Sequence, residues 1–173
     1  MKNKILLIIV LLFLVFCFLV LFKGLNNSNK YMPKLKFNEN LVDFTSKNLF
    51  SKIKVNSSEI FVNREFYILN IWASWCLPCI NEHQQLMLLS QNPSIKLIGL
   101  NYKDDSENAK KFIEKLGNPY SIILTDKDGI ISIELGAYGV PETFIINKDK
   151  KIIKKIIGPL TKELVEEINL ILK

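Results

Sequence analysis

The stretch Phe66–Cys79, FYILNIWASWCLPC, constrains this chain more than any other part of it. Its first seven residues are apolar at nearly every position. A strand formed there has no polar face to offer to water and must be covered on both sides. Such a strand belongs in the interior of a layered α/β structure. Directly after it come two cysteines three residues apart, Cys76 and Cys79, where the pattern turns helical.

The residues around this stretch continue the layered pattern. Leu77 to Ser90 predicts a helix with Ile80, Leu86, Met87 and Leu89 as its apolar contacts, and Ile95–Leu100 predicts a second buried strand. Ser106 to Leu116 predicts a helix presenting Ala109, Phe112, Ile113 and Leu116 on one face, ended by Gly117-Asn118-Pro119. Ile122–Leu124 is strand-like, and Asp126–Gly129 is a turn. Thr143–Ile146 and Lys151–Ile157 form a strand pair. Thr161 to Leu172 reads as a closing amphipathic helix, with Thr161 as cap and Glu163 and Glu166 near its positive end. Upstream, Leu41–Thr45, Ile53–Val55 and Ile60–Val62 read as short strands. The order β-α-β-α-β-β-α describes an α/β fold: a mixed sheet with helices on both faces.

The N-terminus is of another kind. Ile5 to Phe22 is an unbroken run of 18 apolar residues between Lys4 and Lys23. As a helix it would be about 27 Å long, close to the ~30 Å of a bilayer's hydrocarbon core. A cleaved signal has a shorter apolar stretch and a small-residue site after it, and KGLNNS offers none. Phe16 stands where a lipoprotein signal before Cys17 would need a small residue. The sequence therefore predicts an uncleaved single-pass anchor over residues 1–23, a polar tether over 24–40 and one domain over 41–173. Four lysines follow the run closely and two precede it, which by the positive-inside count favours a cytoplasmic domain. Long domains cross largely regardless of that count, and the redox motif favours an extracytoplasmic domain.

Composition removes several function classes. At 173 residues with 49% apolar and 23% charged residues, the chain is too rich in core material to be disordered. Three cysteines are too few for a disulfide-dense scaffold, and one histidine rules out a site built from several imidazoles. Half of the net charge of +6 comes from the three lysines of residues 1–23, since residues 24–173 hold 20 basic and 17 acidic residues. No basic stripe with interleaved aromatics appears, so no nucleic-acid partner is expected.

The two cysteines carry the chemistry. At i and i+3 in a first helical turn, their Cα atoms fall within the ~4.4–6.8 Å that a disulfide spans. The positive helix end favours the thiolate of the first cysteine, and Pro78 sits where a missing N–H costs little. This predicts Cys76 as an exposed attacking thiolate and Cys79 as the more buried resolving thiol. A zinc site would need a second pair, which is lacking; Cys76, Cys79 and His83 on one helical face leave a three-ligand metal site open. His83 otherwise reads as a hydrogen-bonded surface residue. Gly139-Val140-Pro141 before a strand could supply a cis peptide bond, or an ordinary turn proline. Glu82 and Glu142 are the carboxylates nearest these motifs; either could relay protons to Cys79, or be a solvated surface residue.

WASWCLPC with GVPETF resembles the thioredoxin superfamily. Leu69–Cys76, Cys79 with Glu82-His83, Asn101–Asp104, Leu116–Tyr120 and Leu135–Phe144 together resemble the DsbE/CcmG family of membrane-anchored thiol:disulfide interchange proteins of cytochrome c maturation. The resemblance implies a thioredoxin-like fold and, with no cofactor, a reductant facing the periplasm from the bacterial inner membrane. Its clients would be the haem-binding cysteines of apocytochrome c, or another maturation thiol protein. A membrane electron donor of the DsbD or CcdA type would re-reduce it. Carried over, Cys76 and Cys79 are the redox pair, Pro141 is the cis-proline beside it, and Trp75, Val140 and Pro141 meet the client. Glu82 and Glu142 match the acidic residues near such sites. Asn70 stands where ordinary thioredoxins have a buried Asp, which moves any proton relay to the glutamates. Rival readings are a general periplasmic reductant, an oxidant, and a copper-delivery protein, although the last type usually spaces its cysteines CxxxC and adds a distant histidine.

Overall fold

The computed structural model describes residues 2–26 and 40–172. It forms two units, one holding the N-terminal helix and the other everything from Asn40 onward. Most of the expected tether, residues 27–39, lies outside the described residues.

Helix α1 (Lys2–Asn26) contains the apolar run. From Lys4 to Lys23 its mean hydropathy is 3.7 over 20 residues, and none of that window is buried. Leu, Ile, Val and Phe side chains lie exposed all around it. By length and composition it can cross a membrane.

The second unit is built on a seven-stranded mixed sheet. In chain order its elements are β1 (Thr45–Asn48), β2 (Lys54–Asn56), α2 (Ser57–Ile60), β3 (Phe66–Trp72), α3 (Leu77–Leu89), β4 (Ile95–Tyr102), α4 (Ser106–Leu116), β5 (Ile122–Asp126), α5 (Ile130–Glu134), β6 (Glu142–Asn147), β7 (Ile152–Ile157) and α6 (Lys162–Ile171). The strand order is β2-β1-β5-β4-β3-β6-β7. Strands β3, β4 and β5 run parallel, while β1, β6 and β7 pair antiparallel with their neighbours. The predicted α/β architecture holds.

Alternation along the strands divides the core into two layers. Ile68 and Trp72 of β3 pack with Leu86 and Leu89 of α3, Phe112 of α4 and Ile168 of α6. Tyr67, Leu69 and Ile71 pack on the other face with Phe61, Leu135 and Phe144. Every β3 residue after Phe66 is buried, which is why its apolar run has no polar side. Gly99 on β4 lets two aromatics close over it: a Cβ there would lie 2.9 Å from the Trp72 indole and 3.0 Å from the Tyr120 ring.

Several local expectations change. Only Thr45 of the expected Leu41–Thr45 strand lies in a strand, and β1 continues to Asn48. Among the described residues Ile60–Val62 joins no strand; Ser57–Ile60 is a helical turn instead, and Ile60 and Phe61 are buried as core. The turn expected at Asp126–Gly129 leads into helix α5, where Ile130 donates its N–H to Asp128 and Ile131 and Ser132 donate theirs to the buried Asp126 carboxylate. Thr161 caps α6 as predicted, but only Glu163 falls in its first turn.

Candidate active site

Strand β3 ends at Trp72, and α3 begins at Leu77, so the four residues between them carry the turn. Asp104 holds that turn in place. Its carboxylate accepts the Ser74 N–H at 2.6 Å, the Ser74 hydroxyl at 2.8 Å and the Asn101 amide at 2.9 Å. Trp75 donates its indole N–H to the Lys103 carbonyl at 3.1 Å and leaves its ring 57% exposed. Cys76 is the N-cap of α3, its sulfur accepting the Cys79 N–H at 3.2 Å, and Pro78 lies in the first turn. Both cysteine sulfurs thus lie at the positive end of a thirteen-residue helix.

The two sulfurs are bonded to each other, with the Cα atoms 5.3 Å apart. Cys79 is buried, as expected; Cys76 is also buried, at 3% exposure, which corrects the expectation of an exposed thiol. In the disulfide its sulfur is engaged by Cys79, and the exposed rim consists of Trp75, Leu77 and Pro78. Ile80, expected to pack inward, is 42% exposed. It lines a cleft beside the disulfide with Ser74, Trp75, Phe112, Lys111 and Lys115.

One turn beyond Cys79 on the same helix, Glu82 is completely buried, so its solvated-surface reading fails. Its Oε1 accepts the Asn70 amide at 2.9 Å and its Oε2 accepts the Leu160 N–H at 2.8 Å. Asn70 donates also to Thr143 Oγ1 at 3.0 Å and accepts the Tyr120 hydroxyl at 2.8 Å. The carboxylate faces no cation in this network. Burial pushes its pKa up to about 7, against the smaller downward pull of the Leu160 N–H and the Asn70 amide. Burial, and then the charge of Glu82, hold the Tyr120 phenol well above its usual range.

His83 is buried too, not at the surface. Its Nε2 lies 3.0 Å from the Gly117 carbonyl, which can only accept, so Nε2 carries the hydrogen. Its ring meets Phe112 edge-on at 5.3 Å. Burial lowers its pKa, with the Gly117 and Leu116 carbonyls pulling the other way. With Nε2 turned to a carbonyl and the cysteines bonded to each other, the structure does not assemble these three residues as a ligand set.

Glu142 is also buried, and it lies on the other face of the sheet. In the β3–β6 register Thr143 is opposite Asn70, whereas Glu142 is opposite Ile71, whose side chain belongs to the other core layer. Its Oε1 accepts the N–H groups of Tyr138 and Gly139 at 2.7 and 3.1 Å. Its Oε2 is 2.8 Å from Lys155 Nζ, an ammonium only 6% exposed. Lys155 donates also to the Gly136 carbonyl at 2.7 Å and lies 3.9 Å from the centre of the Tyr138 ring. This pair fixes the loop from Gly136 to Pro141. Val140, half-buried against both core layers, is joined to Pro141 by a cis peptide bond. Pro141 is buried, and its carbonyl accepts the Gly158 N–H at 3.0 Å.

The structure thus places Cys76 at the cap of α3 with Cys79 and Glu82 along that helix, and Val140 and Pro141 on the loop into β6, with Glu142 as that strand's first residue, at the same end of the sheet. Sequence reasoning gave no role to Asp104, Tyr120, Thr143 or Lys155. Asp104 lies in the NYKDD stretch used for the resemblance, while nothing in IIKKII marks Lys155 out from Lys154.

Comparison with known proteins agrees with this geometry. Residues 30–170 match the Redoxin family. The thiol:disulfide interchange protein DsbE of Escherichia coli K12 is 33% identical over 171 residues, covering 96% of this chain and 92% of that protein. Its counterpart in Haemophilus influenzae is 45% identical over 94 residues, so the match spans about half of each, 54% of this chain and 51% of the relative. Among solved structures, a Chlorobium tepidum protein described as a thiol:disulfide interchange protein DsbE superposes with a TM-score of 0.67. It is 20% identical and covers 81% of this chain and 100% of its own, a likeness that shows the fold. With a disulfide capping the first helix after a buried central strand, and a relative matched over nearly its whole length, this chain belongs to the DsbE/CcmG family of the thioredoxin superfamily.

Proposed function

We propose that this chain is a membrane-anchored thiol:disulfide oxidoreductase that reduces client disulfides, with α1 as anchor and the second unit on the periplasmic side of the inner membrane. The observation that carries the reading is the Cys76–Cys79 pair with an uncompensated buried carboxyl, Glu82, one turn below it. In the reduced form the Cys76 thiolate attacks a client disulfide, forming a mixed disulfide and releasing one client thiolate. Glu82 takes the Cys79 proton, and the Cys79 thiolate displaces the second client sulfur from Cys76. Two electrons pass to the client, and the Cys76–Cys79 disulfide is the product. A nearby carboxylate disfavours thiolates, hence the reduced form, and so makes the pair a stronger reductant.

The clients are the haem-attachment cysteines of apocytochrome c or another cytochrome-maturation thiol protein, and a DsbD- or CcdA-type membrane protein restores the dithiol. The family resemblance supports these partners. Trp75, Leu77 and Val140 at the rim, over the buried Pro141, form the client-facing surface; the exposure of the first two supports that role.

The test is the reduction potential of the full chain carrying Cys17→Ser, equilibrated against glutathione or dithiothreitol. Known dithiols run from about −270 mV for thioredoxin to about −120 mV for a strong oxidant, and ~30 mV corresponds to ~1.4 kcal/mol. A value near or below about −200 mV is expected for a reductant. A value near −120 mV would reverse the electron flow and replace the reading with disulfide donation. In parallel, Cys79→Ser is expected to trap a mixed disulfide with a peptide containing an oxidised CxxCH sequence, and Cys76→Ser to trap none. Equal inertness of the two variants would reject the assigned order of attack.

A further inference from the structure

Helices α3 and α4 each follow one of the parallel strands β3 and β4, so both start at the disulfide end of the sheet. They cover the same face of it, packing in the core layer of Ile68 and Trp72, and His83 of α3 meets Phe112 of α4. The cleft beside the disulfide opens between them. It has a volume of about 450 Å³, room for a bulky side chain and its neighbour. Ser74, Trp75 and Asn108 line its disulfide end, and Ile80, Lys115 and Leu116 line it further along the helices. Much of its wall is apolar: Trp75 is 57% exposed and Ile80 42%, with Phe112 and Leu116 behind them.

The charge of this cleft is of one sign. Lys111 and Lys115, one turn apart on α4, both line it, and no carboxylate does. Both are exposed, and among the described residues neither has an ion-pair partner. The acidic residues at the start of α4 are engaged elsewhere. Asp104 accepts from Ser74 and Asn101, Asp105 accepts the Glu107 and Asn108 N–H groups, and Glu107 pairs with Lys110. Glu114 is exposed and does not line the cleft. Like charges at i and i+4 oppose helix formation slightly. For Lys115, in the last turn, the negative helix end offsets that; Lys111 lies a turn too early to gain from it. An anion held between the two ammonium groups removes the repulsion.

We propose that this cleft is a docking site for the client polypeptide, taking a large apolar side chain flanked by a carboxylate. The apolar group lies against Trp75, Ile80 and Phe112, and the carboxylate lies between Lys111 and Lys115. Two features select a client chain as occupant. The cleft is continuous with the exchange site, because Ser74 and Trp75 belong both to its wall and to the turn before Cys76. A chain that brings its disulfide to Cys76 therefore has Trp75 and the cleft beside it. The unpaired cations supply the complementarity, favouring acidic clients and disfavouring basic ones. The inference rests on the reading of this chain as a reductant of client disulfides and deepens it by naming the class of client.

The test uses the full chain carrying Cys17→Ser in detergent, with the Cys76–Cys79 pair reduced beforehand and excess reductant removed. The probes are synthetic peptides holding an oxidised CxxCH sequence flanked on both sides by Phe-Glu, Phe-Lys or Ala-Glu. Each second-order rate of reduction is divided by that of the same peptide with free dithiothreitol, which removes differences intrinsic to the peptide disulfide. The Phe-Glu peptide is expected to react about tenfold faster than Phe-Lys at low salt and about fivefold faster than Ala-Glu. High salt narrows the first ratio. Lys111→Gln with Lys115→Gln brings Phe-Glu and Phe-Lys level, and Lys111→Glu with Lys115→Glu reverses their order. Ile80→Ser removes the advantage of Phe over Ala. Each readout compares two peptides on one protein, so partial loss of folded protein does not move it. Equal rates for the three peptides with the parent chain overturn the docking site and leave the reductant reading standing. A preference for Phe-Glu that survives both lysine variants also overturns it. Failure of the parent to reduce any of the peptides overturns the reductant reading and the docking site together.

Discussion

Glu82 and Glu142 are both buried glutamates at the disulfide end of the same sheet, yet they belong to opposite faces and have opposite partners. Around Glu82 every partner is neutral: an amide, a backbone N–H and, through Asn70, a phenol and a hydroxyl. Around Glu142 an ammonium lies 2.8 Å away, and two further N–H groups point at the carboxylate. Burial alone disfavours a carboxylate, and only a compensating charge offsets that penalty. Glu82 is therefore poised to exchange a proton near neutral pH, while Glu142 is held in an ion pair that fixes the loop into β6. Residue type and burial are the same in both; the difference in role comes from the neighbour.

The largest expected effect breaks the second site. Lys155→Met keeps most of the side-chain volume and leaves the Glu142 carboxylate buried without its cation, which costs roughly 3–5 kcal/mol. Urea unfolding of the full chain in detergent, followed by Trp72 and Trp75 fluorescence, should show the midpoint fall accordingly. Adding Glu142→Gln should recover a large part of the loss, since no buried charge then remains. If Lys155→Met unfolds like the parent chain, the ion pair does not fix this loop and the contrast with Glu82 disappears.

Glu82→Gln probes the first site, and here the sign of the pH effect matters. A carboxyl raised from 4.5 to about 7 on folding binds its proton more tightly in the native state. Its contribution to stability is complete below about pH 4.5 and is lost as pH rises through about 7. The shift corresponds to about 3 kcal/mol, so stability of the parent relative to the variant should fall by that order across this window. The depressed pKa of His83 acts in the opposite sense, removing stability as pH falls below its usual value, and is common to both proteins. The resolving step of the parent should accelerate as pH rises through about 7, and the variant should lose that dependence. A variant whose pH profiles match the parent's would move the proton acceptor elsewhere.

Much of this was legible before any coordinates. The bounds of β3 and α4 were readable to the residue. One is a run buried on both faces; the other opens after Asp105, whose carboxylate caps two N–H groups, and closes at Gly117 with φ 92°. The cysteine pair at a helix start was legible for the same local reason. Ile60–Val62 reads as a strand because an apolar run of β-branched and aromatic residues suits burial as well as pairing. There, Ser57 accepts the Phe44 N–H and donates to Asp43, turning the chain into a helix instead. The two glutamates could be placed near the motifs but not told apart. Their partners come from strand register, Asn70 opposite Thr143 and Phe144 opposite Lys155, and register is set by the folded sheet as a whole.

The smallest expected effect sharpens the Glu82 side. An asparagine amide can be held either way round, and only its partners decide which end faces a carboxylate. Tyr120 donates its hydroxyl to Asn70 Oδ1, and that bond leaves Nδ2 to face Glu82 and Thr143. Tyr120→Phe keeps the ring stacked on Trp72, 5.8 Å between centroids, and removes only the hydroxyl. A buried acceptor left unpaired costs about 1–2 kcal/mol, which is less than either charge effect above. The telling readout is the titration. If the hydroxyl orients the amide, its loss weakens the Asn70–Glu82 bond, which lowers the Glu82 pKa, and the midpoint of the exchange profile moves above about 7. A loss of stability with an unmoved midpoint would mean that Thr143 alone orients Asn70, and that the phenol is a packing group with no part in setting the proton affinity of Glu82.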